Sequence, residues 1–128
     1  MTIEQLYTLG QLTITANDAD ESLILGSITV ANNDVTILAK GNVATIADGT
    51  VNIKNNGSVT INAGSIGASD AYVEVDLAEN ATLNVTSNGD VYLKETGALK
   101  TVEIPRTLTA ITDKAFVGET NLVSIYYR

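Results

Sequence analysis

The chain predicts an all-β fold, a small β-solenoid of about 24 residues per coil, preceded by an N-terminal helical cap. Two repeats and one alternation predict it. Val35-Thr-Ile37 recurs as Val59-Thr-Ile61 and again as Leu83-Asn-Val85, each 24 positions after the last. A second set runs Val51-Asn-Ile53, then Val75-Asp-Leu77, with Leu99 a further 24 on. Between these, Val and Ile alternate with Thr, Asn and Lys, the period-two pattern of a strand with one buried face. Recurrence at this length marks stacked units rather than a single globular core.

Residues 1–10 form the expected cap. Thr2 and Gln5 have capping-box spacing, and Ile3, Leu6, Tyr7 and Leu9 form an apolar stripe that Gly10 ends. Residues 11–98 form the strand-repeat region, with strands expected at 11–15, 22–30, 35–39, 43–47, 50–54, 58–62, 71–77, 82–86 and 90–94. Two further strands, at 100–104 and 122–127, fall in residues 99–128. The middle divides into octads, Gly41 to Asp48, Gly49 to Asn56 and Gly57 to Gly64, each opening on Gly with Val in third place. Three octads make one period, which implies three short strands per coil. Val43 plus one period lands on Gly67, so Ser65 to Ser69 reads as an irregular corner with Ile66 replacing the missing aliphatic. An antiparallel meander or fibre is the alternative, because Asp48-Gly49, Asn56-Gly57 and Asn88-Gly89 are hairpin-turn dipeptides. Hairpins account for the octads but give no reason for the longer recurrence.

Composition narrows the function classes. Fifteen acidic against seven basic side chains give a net charge of −8, which repels phosphate backbones and anionic lipid. Neither a nucleic-acid nor a membrane role is expected, and no run approaches the length of a bilayer-spanning helix. The first ten residues lack the basic and apolar regions of a secretory leader. Cys and His are both absent, which removes disulfides, thiolate chemistry, His general bases and the usual zinc sites. Aromatic residues are only 5%, so the core must consist of Val, Ile, Leu and Ala in thin layers.

From Leu99 the pattern changes. Leu99, Val102, Ile104 and Pro105 are followed by Leu108 and Ile111, then Ala115-Phe116, then Leu122 and Ile125. This resembles a BspA-type leucine-rich repeat, whose form is L-x-x-V-x-I-P, an aliphatic-x-x-I turn, A-F and the next L-x-x-I. The resemblance covers residues 99–127 with a period of 23. It departs from the family where Val117-Gly-Glu-Thr120 replaces the polar Gly-Cys segment, and where Tyr127-Arg128 stands in place of Ile-Pro. The resemblance implies a terminal coil stacked on the solenoid, with Phe116 filling its interior. It also implies the surface-exposed binding or adhesion roles found among such proteins of bacteria and their viruses.

No catalytic constellation is expected, and no cofactor or metal. The acidic group Asp70, Glu74, Asp76 and Glu79 is the candidate for an ion site or a carboxylate dyad, and otherwise a solvated face that keeps a strand-rich chain soluble. Tyr72 and Tyr92 are candidates for stacking on a sugar ring. Tyr126, Tyr127 and Arg128 are the candidate interface, since Tyr and Arg are favoured where chains meet. Asn52, Thr60, Asn62, Asn84 and Thr86 are expected to face outward as ladders between coils. The expectation is a non-enzymatic structural or interaction protein: a phage virion component, such as a head fibre or capsid decoration, assembled in the host cytoplasm. Its expected partners are copies of itself and other virion proteins. A bacterial surface adhesin or glycan-binding module meeting a host-surface glycan or protein is the alternative, and a polysaccharide-active β-helix enzyme a third.

Overall fold

The computed structural model describes residues 1–97 and the strands at 101–104 and 124–127. The strands are β1 (Thr2–Thr8), β2 (Leu12–Ala16), β3 (Leu23–Val30), β4 (Val35–Ala39), β5 (Asn42–Thr45), β6 (Val51–Asn55) and β7 (Val59–Ala63). They continue as β8 (Ser65–Ile66), β9 (Val73–Leu77), β10 (Leu83–Ser87), β11 (Leu93–Glu95), β12 (Thr101–Ile104) and β13 (Ser124–Tyr127). Every pairing between these strands is parallel, so the chain is a β-solenoid and not a meander.

One sheet has the order β13-β12-β10-β7-β4-β2. Its register follows the sequence repeat: Val35 lies opposite Val59 and Val59 opposite Leu83, while Ile37, Ile61 and Val85 form the next row. Each row stacks one turn of chain on the next at about 4.8 Å. The inward rows are aliphatic, except that the third position is Ala16, Ala39, Ala63 and then Ser87, where the coil narrows into a corner.

The other sheet runs β11-β9-β6-β3-β5-β8, with β1 also on β3. It splits because β3 is long and bent. Leu23 and Leu25 point inward before Gly26-Ser27, whereas Ile28 and Val30 point inward after it. The first half pairs with β5 and the second with β6, which opens the third face of the coil. The three octads become β5, β6 and β7, one strand each. Ile66 does replace the missing aliphatic: it is fully buried in β8 opposite Val43. Among the dipeptides read as hairpin turns, Gly49 alone adopts a positive φ, 85°, and the chain there turns a corner between parallel strands.

Three expectations need correction. Residues 2–8 are a strand, not a helical cap, and there is no helix among the described residues. The three-residue spacing of Ile3 and Leu6 suits their partners across the bend, since Ile3 lies opposite Leu25 and Leu6 opposite Ile28. Tyr7 and Leu9, the rest of the supposed stripe, are exposed. The second repeat set is also out of register. Ile53 lies opposite Val75 and Val51 opposite Glu74, with an irregularity between them. At that irregularity Asn52 turns inward and is fully buried, the third correction.

The Asn52 amide accounts for its own burial. Its nitrogen donates to the Leu25 carbonyl at 2.9 Å, the Gly26 carbonyl at 3.0 Å and the Thr45 hydroxyl at 2.9 Å. Its oxygen accepts from the Glu74 backbone N–H at 2.9 Å, so one side chain ties three turns together. Similar ties line another corner. The Ser58 N–H donates to Asp34 and the Thr82 N–H donates to the Ser58 hydroxyl, each 24 residues apart. Buried polar groups are tolerated when paired in this way.

Two substitutions separate the core rows from the clamps. Ile61→Ala should cost about 2–5 kcal/mol through the cavity it leaves. Asn52→Ala should cost about 1–3 kcal/mol by stranding the carbonyls and the N–H it pairs. Asn62→Ala, at an exposed position, should stay within about 0.5 kcal/mol. Urea unfolding of the three variants checks the order; an Asn52 variant as stable as the parent would contradict the clamp.

Candidate functional site

The acidic candidates are not drawn into one group. Glu74 and Asp76 alternate with the buried Val73, Val75 and Leu77 on β9, and so belong to its outward side, but Glu74 is itself buried, 7% exposed, and is no part of a solvated face. Their register neighbours are lysines, Lys94 beside Glu74 and Lys54 beside Asp76. Asp70 sits elsewhere, at the exposed tip of a tight turn in which Ala68 and Ala71 exchange backbone hydrogen bonds at 3.0 and 3.1 Å. Glu79 is exposed beyond the end of β9. Among the described residues no three acidic side chains come together to hold a metal ion.

Tyr72 and Tyr92 do meet, though not as a sugar platform. Their rings pack edge to face, with centroids 5.5 Å apart, and the Lys94 ammonium lies 5.2 Å from the centre of the Tyr72 ring. Tyr72 is buried, so its faces pack this corner rather than meet solvent. Tyr126 and Tyr127 lie in β13 opposite Glu103 and Ile104. Their side chains and Arg128 lie outside the described residues. The same holds for most of the leucine-rich resemblance, of which β12 and β13 are described, with Val102 opposite Ile125.

One buried acid was missed. Glu95 is fully buried in β11, opposite Val75 in the row that runs from Leu6 through Ile28 and Ile53. Its Oε1 accepts from the Leu77 N–H at 2.9 Å and the Gly97 N–H at 2.8 Å. Its Oε2 has no hydrogen-bond partner among the described residues. The signal was in the sequence: Val91, Leu93 and Glu95 share one parity, so a carboxyl takes the third inward place.

The least conspicuous face in the sequence is the most distinctive in the structure. The outward side of β2, β4, β7 and β10 carries two rows across the strands. One is Thr13, Thr36, Thr60 and Asn84; the other is Thr15, Leu38, Asn62 and Thr86. No charged residue occurs in these four strands, and every charged side chain of residues 1–97 lies elsewhere. At the C-terminal ends of β2, β4 and β7 the same face dips into a groove of about 240 Å³, lined by Ala16, Asn17, Leu38, Ala39, Lys40 and Asn62. The volume is below the roughly 300–1,000 Å³ of a pocket that encloses a small molecule. The groove is a notch in an extended surface.

No protein-family model matches the chain, and neither a curated protein nor a solved structure matches it.

Two measurements test this assignment of roles. Millimolar calcium should leave the Tm unchanged, since a ligand that binds only the folded state raises it with concentration; such a rise would contradict the separated carboxylates. Glu95→Ala should destabilise the fold by about 1–3 kcal/mol, because it strands the buried Leu77 N–H and the half-buried Gly97 N–H, and chemical denaturation reads that loss.

Proposed function

We propose that the chain is a non-enzymatic structural and interaction protein, a virion component of the head-fibre or capsid-decoration kind that works as a homo-oligomer among other virion proteins. The observation that carries the reading is the edge that β1 and β2 form among the described strands. Their inward side chains Ile3, Leu6, Leu12 and Ala16 are only half-buried. Met1, Tyr7 and Leu9 add exposed apolar surface beside them. An exposed strand edge with apolar flanks is a template for another chain, and Glu4 is the only charge in either strand to oppose such pairing. Coil-on-coil stacking also makes a stiff spacer, because each turn is held by the backbone of its neighbours. The acidic balance keeps such a spacer soluble and away from nucleic acid.

Tyr126, Tyr127 and Arg128 are the second contact proposed, since Tyr and Arg are favoured where chains meet. The native mass of the chain in dilute solution, by light scattering, tests the reading. A closed oligomer such as a trimer is expected, and a monomer at all concentrations would contradict it. Deleting residues 120–128 should abolish assembly while leaving most of the β signal in circular dichroism; normal assembly of that truncation would remove the terminal contact.

A further inference from the structure

The uncharged face of β2, β4, β7 and β10 is a flat, regular array of hydroxyl and amide groups on a chain that is otherwise strongly acidic. Adjacent strands repeat its rows at about 4.8 Å, and alternate residues along a strand lie about 6.6 Å apart. Thr hydroxyls and Asn amides both donate and accept hydrogen bonds. Thr13, Thr15, Leu38 and Asn62 are exposed, while Thr36, Thr60, Asn84 and Thr86 are half-buried between them, so the array is continuous rather than a scatter of protruding side chains.

Three occupants can be compared. A second copy of the chain needs more room, because four five-residue strands offer roughly 300 Å² against the roughly 800 Å² per partner of a stable interface. An ionic ligand meets charge only at the margins of the face, Lys40 on the groove wall and Glu103 of β12 in register with Asn84, and an anion is repelled by the molecule as a whole. A neutral, hydroxyl-rich polymer meets neither objection. We propose that this face binds a neutral, extended polysaccharide laid along the stacking axis, one sugar against each strand row, with the Leu38 groove receiving the apolar face of a ring. The strand spacing is close to the rise of one sugar in an extended β-linked chain, so successive sugars meet equivalent Thr or Asn positions. The face lies in a rigid parallel sheet, which removes much of the ordering cost that weakens polar recognition.

The inference goes beyond the assembly reading and does not depend on it, since polysaccharide binding and native mass succeed or fail separately. The test is depletion of the full chain from solution by microcrystalline cellulose, chitin and insoluble β-1,3-glucan, in low and in molar salt. Binding to at least one is expected, little changed by salt because the Thr, Asn and Leu positions of the two rows are uncharged. Thr36→Lys with Thr60→Lys should lower the affinity by about tenfold or more, while Ser27→Lys with Thr29→Lys on the opposite sheet should leave it intact. Thr36→Ala with Thr60→Ala, which removes the hydroxyls without adding charge, should weaken binding in the same direction and guards against misfolding of the lysine pair. Absence of depletion by all three polymers would overturn the proposal. So would binding indifferent to the Thr36 and Thr60 substitutions, or a change of native mass in those variants, which would make the face a contact between copies.

Discussion

Everything in this molecule depends on the parallel backbone ladder between successive turns. A single turn cannot satisfy its own N–H and C=O groups, because its strands lie on different faces and do not pair with one another. Each turn is completed only by the turns above and below it, one period away in sequence. Register therefore cannot drift: a slip of one residue would send every aliphatic row outward. The repeat of Val35, Val59 and Leu83 is the sequence trace of that constraint.

The ladder sorts the side chains into separate roles. Inward rows are aliphatic and narrow to Ala at the corners. The corners carry the polar ties, with Asn52 spanning three turns and Asp34, Ser58 and Thr82 handing N–H groups from turn to turn. Outward rows are free to differ, and they do. The sheet containing β6, β9 and β11 carries Lys54, Asp76, Lys94 and the buried Glu74 on its outward side, whereas its counterpart carries only Thr, Asn and Leu there on β2, β4, β7 and β10, with Glu103 of β12 next in register after Asn84. Such segregation gives one rigid body a charged side and a neutral side.

Legibility in the sequence followed the regularity of the backbone. Strand 35–39 has the bounds its repeat predicts because it obeys the period, and Ile66 stands out as a replacement because it is the aliphatic residue one position short of the period, beside Gly67. The first strand was read as a helix because Ile3 and Leu6 are three apart, and a bend in its partner strand produces that spacing as readily as a helical turn does. Asn52 was placed outside because alternation was assumed to run through β6, and the register irregularity beside Val51 inverts it. Glu95 escaped notice for the converse reason: alternation did hold, but carboxylates are seldom placed inside. Half of the uncharged face was legible, since Thr60, Asn62, Asn84 and Thr86 do form outward ladders as expected, whereas its continuation to Thr13, Thr15, Thr36 and Leu38 required the pairing.

The absence of cysteine from the chain allows the register to be tested directly. Thr36 and Thr60 are register partners, at a spacing of about 4.8 Å that lies within the roughly 4.4–6.8 Å between the Cα atoms of a disulfide. A Thr36→Cys, Thr60→Cys variant should close an intramolecular disulfide under mild oxidation, and a Thr36→Cys, Thr86→Cys variant, two strands apart, should not. Cross-linking in the second variant but not the first would contradict the parallel stacking on which the fold, the edge of β1 and β2 and the neutral face all rest.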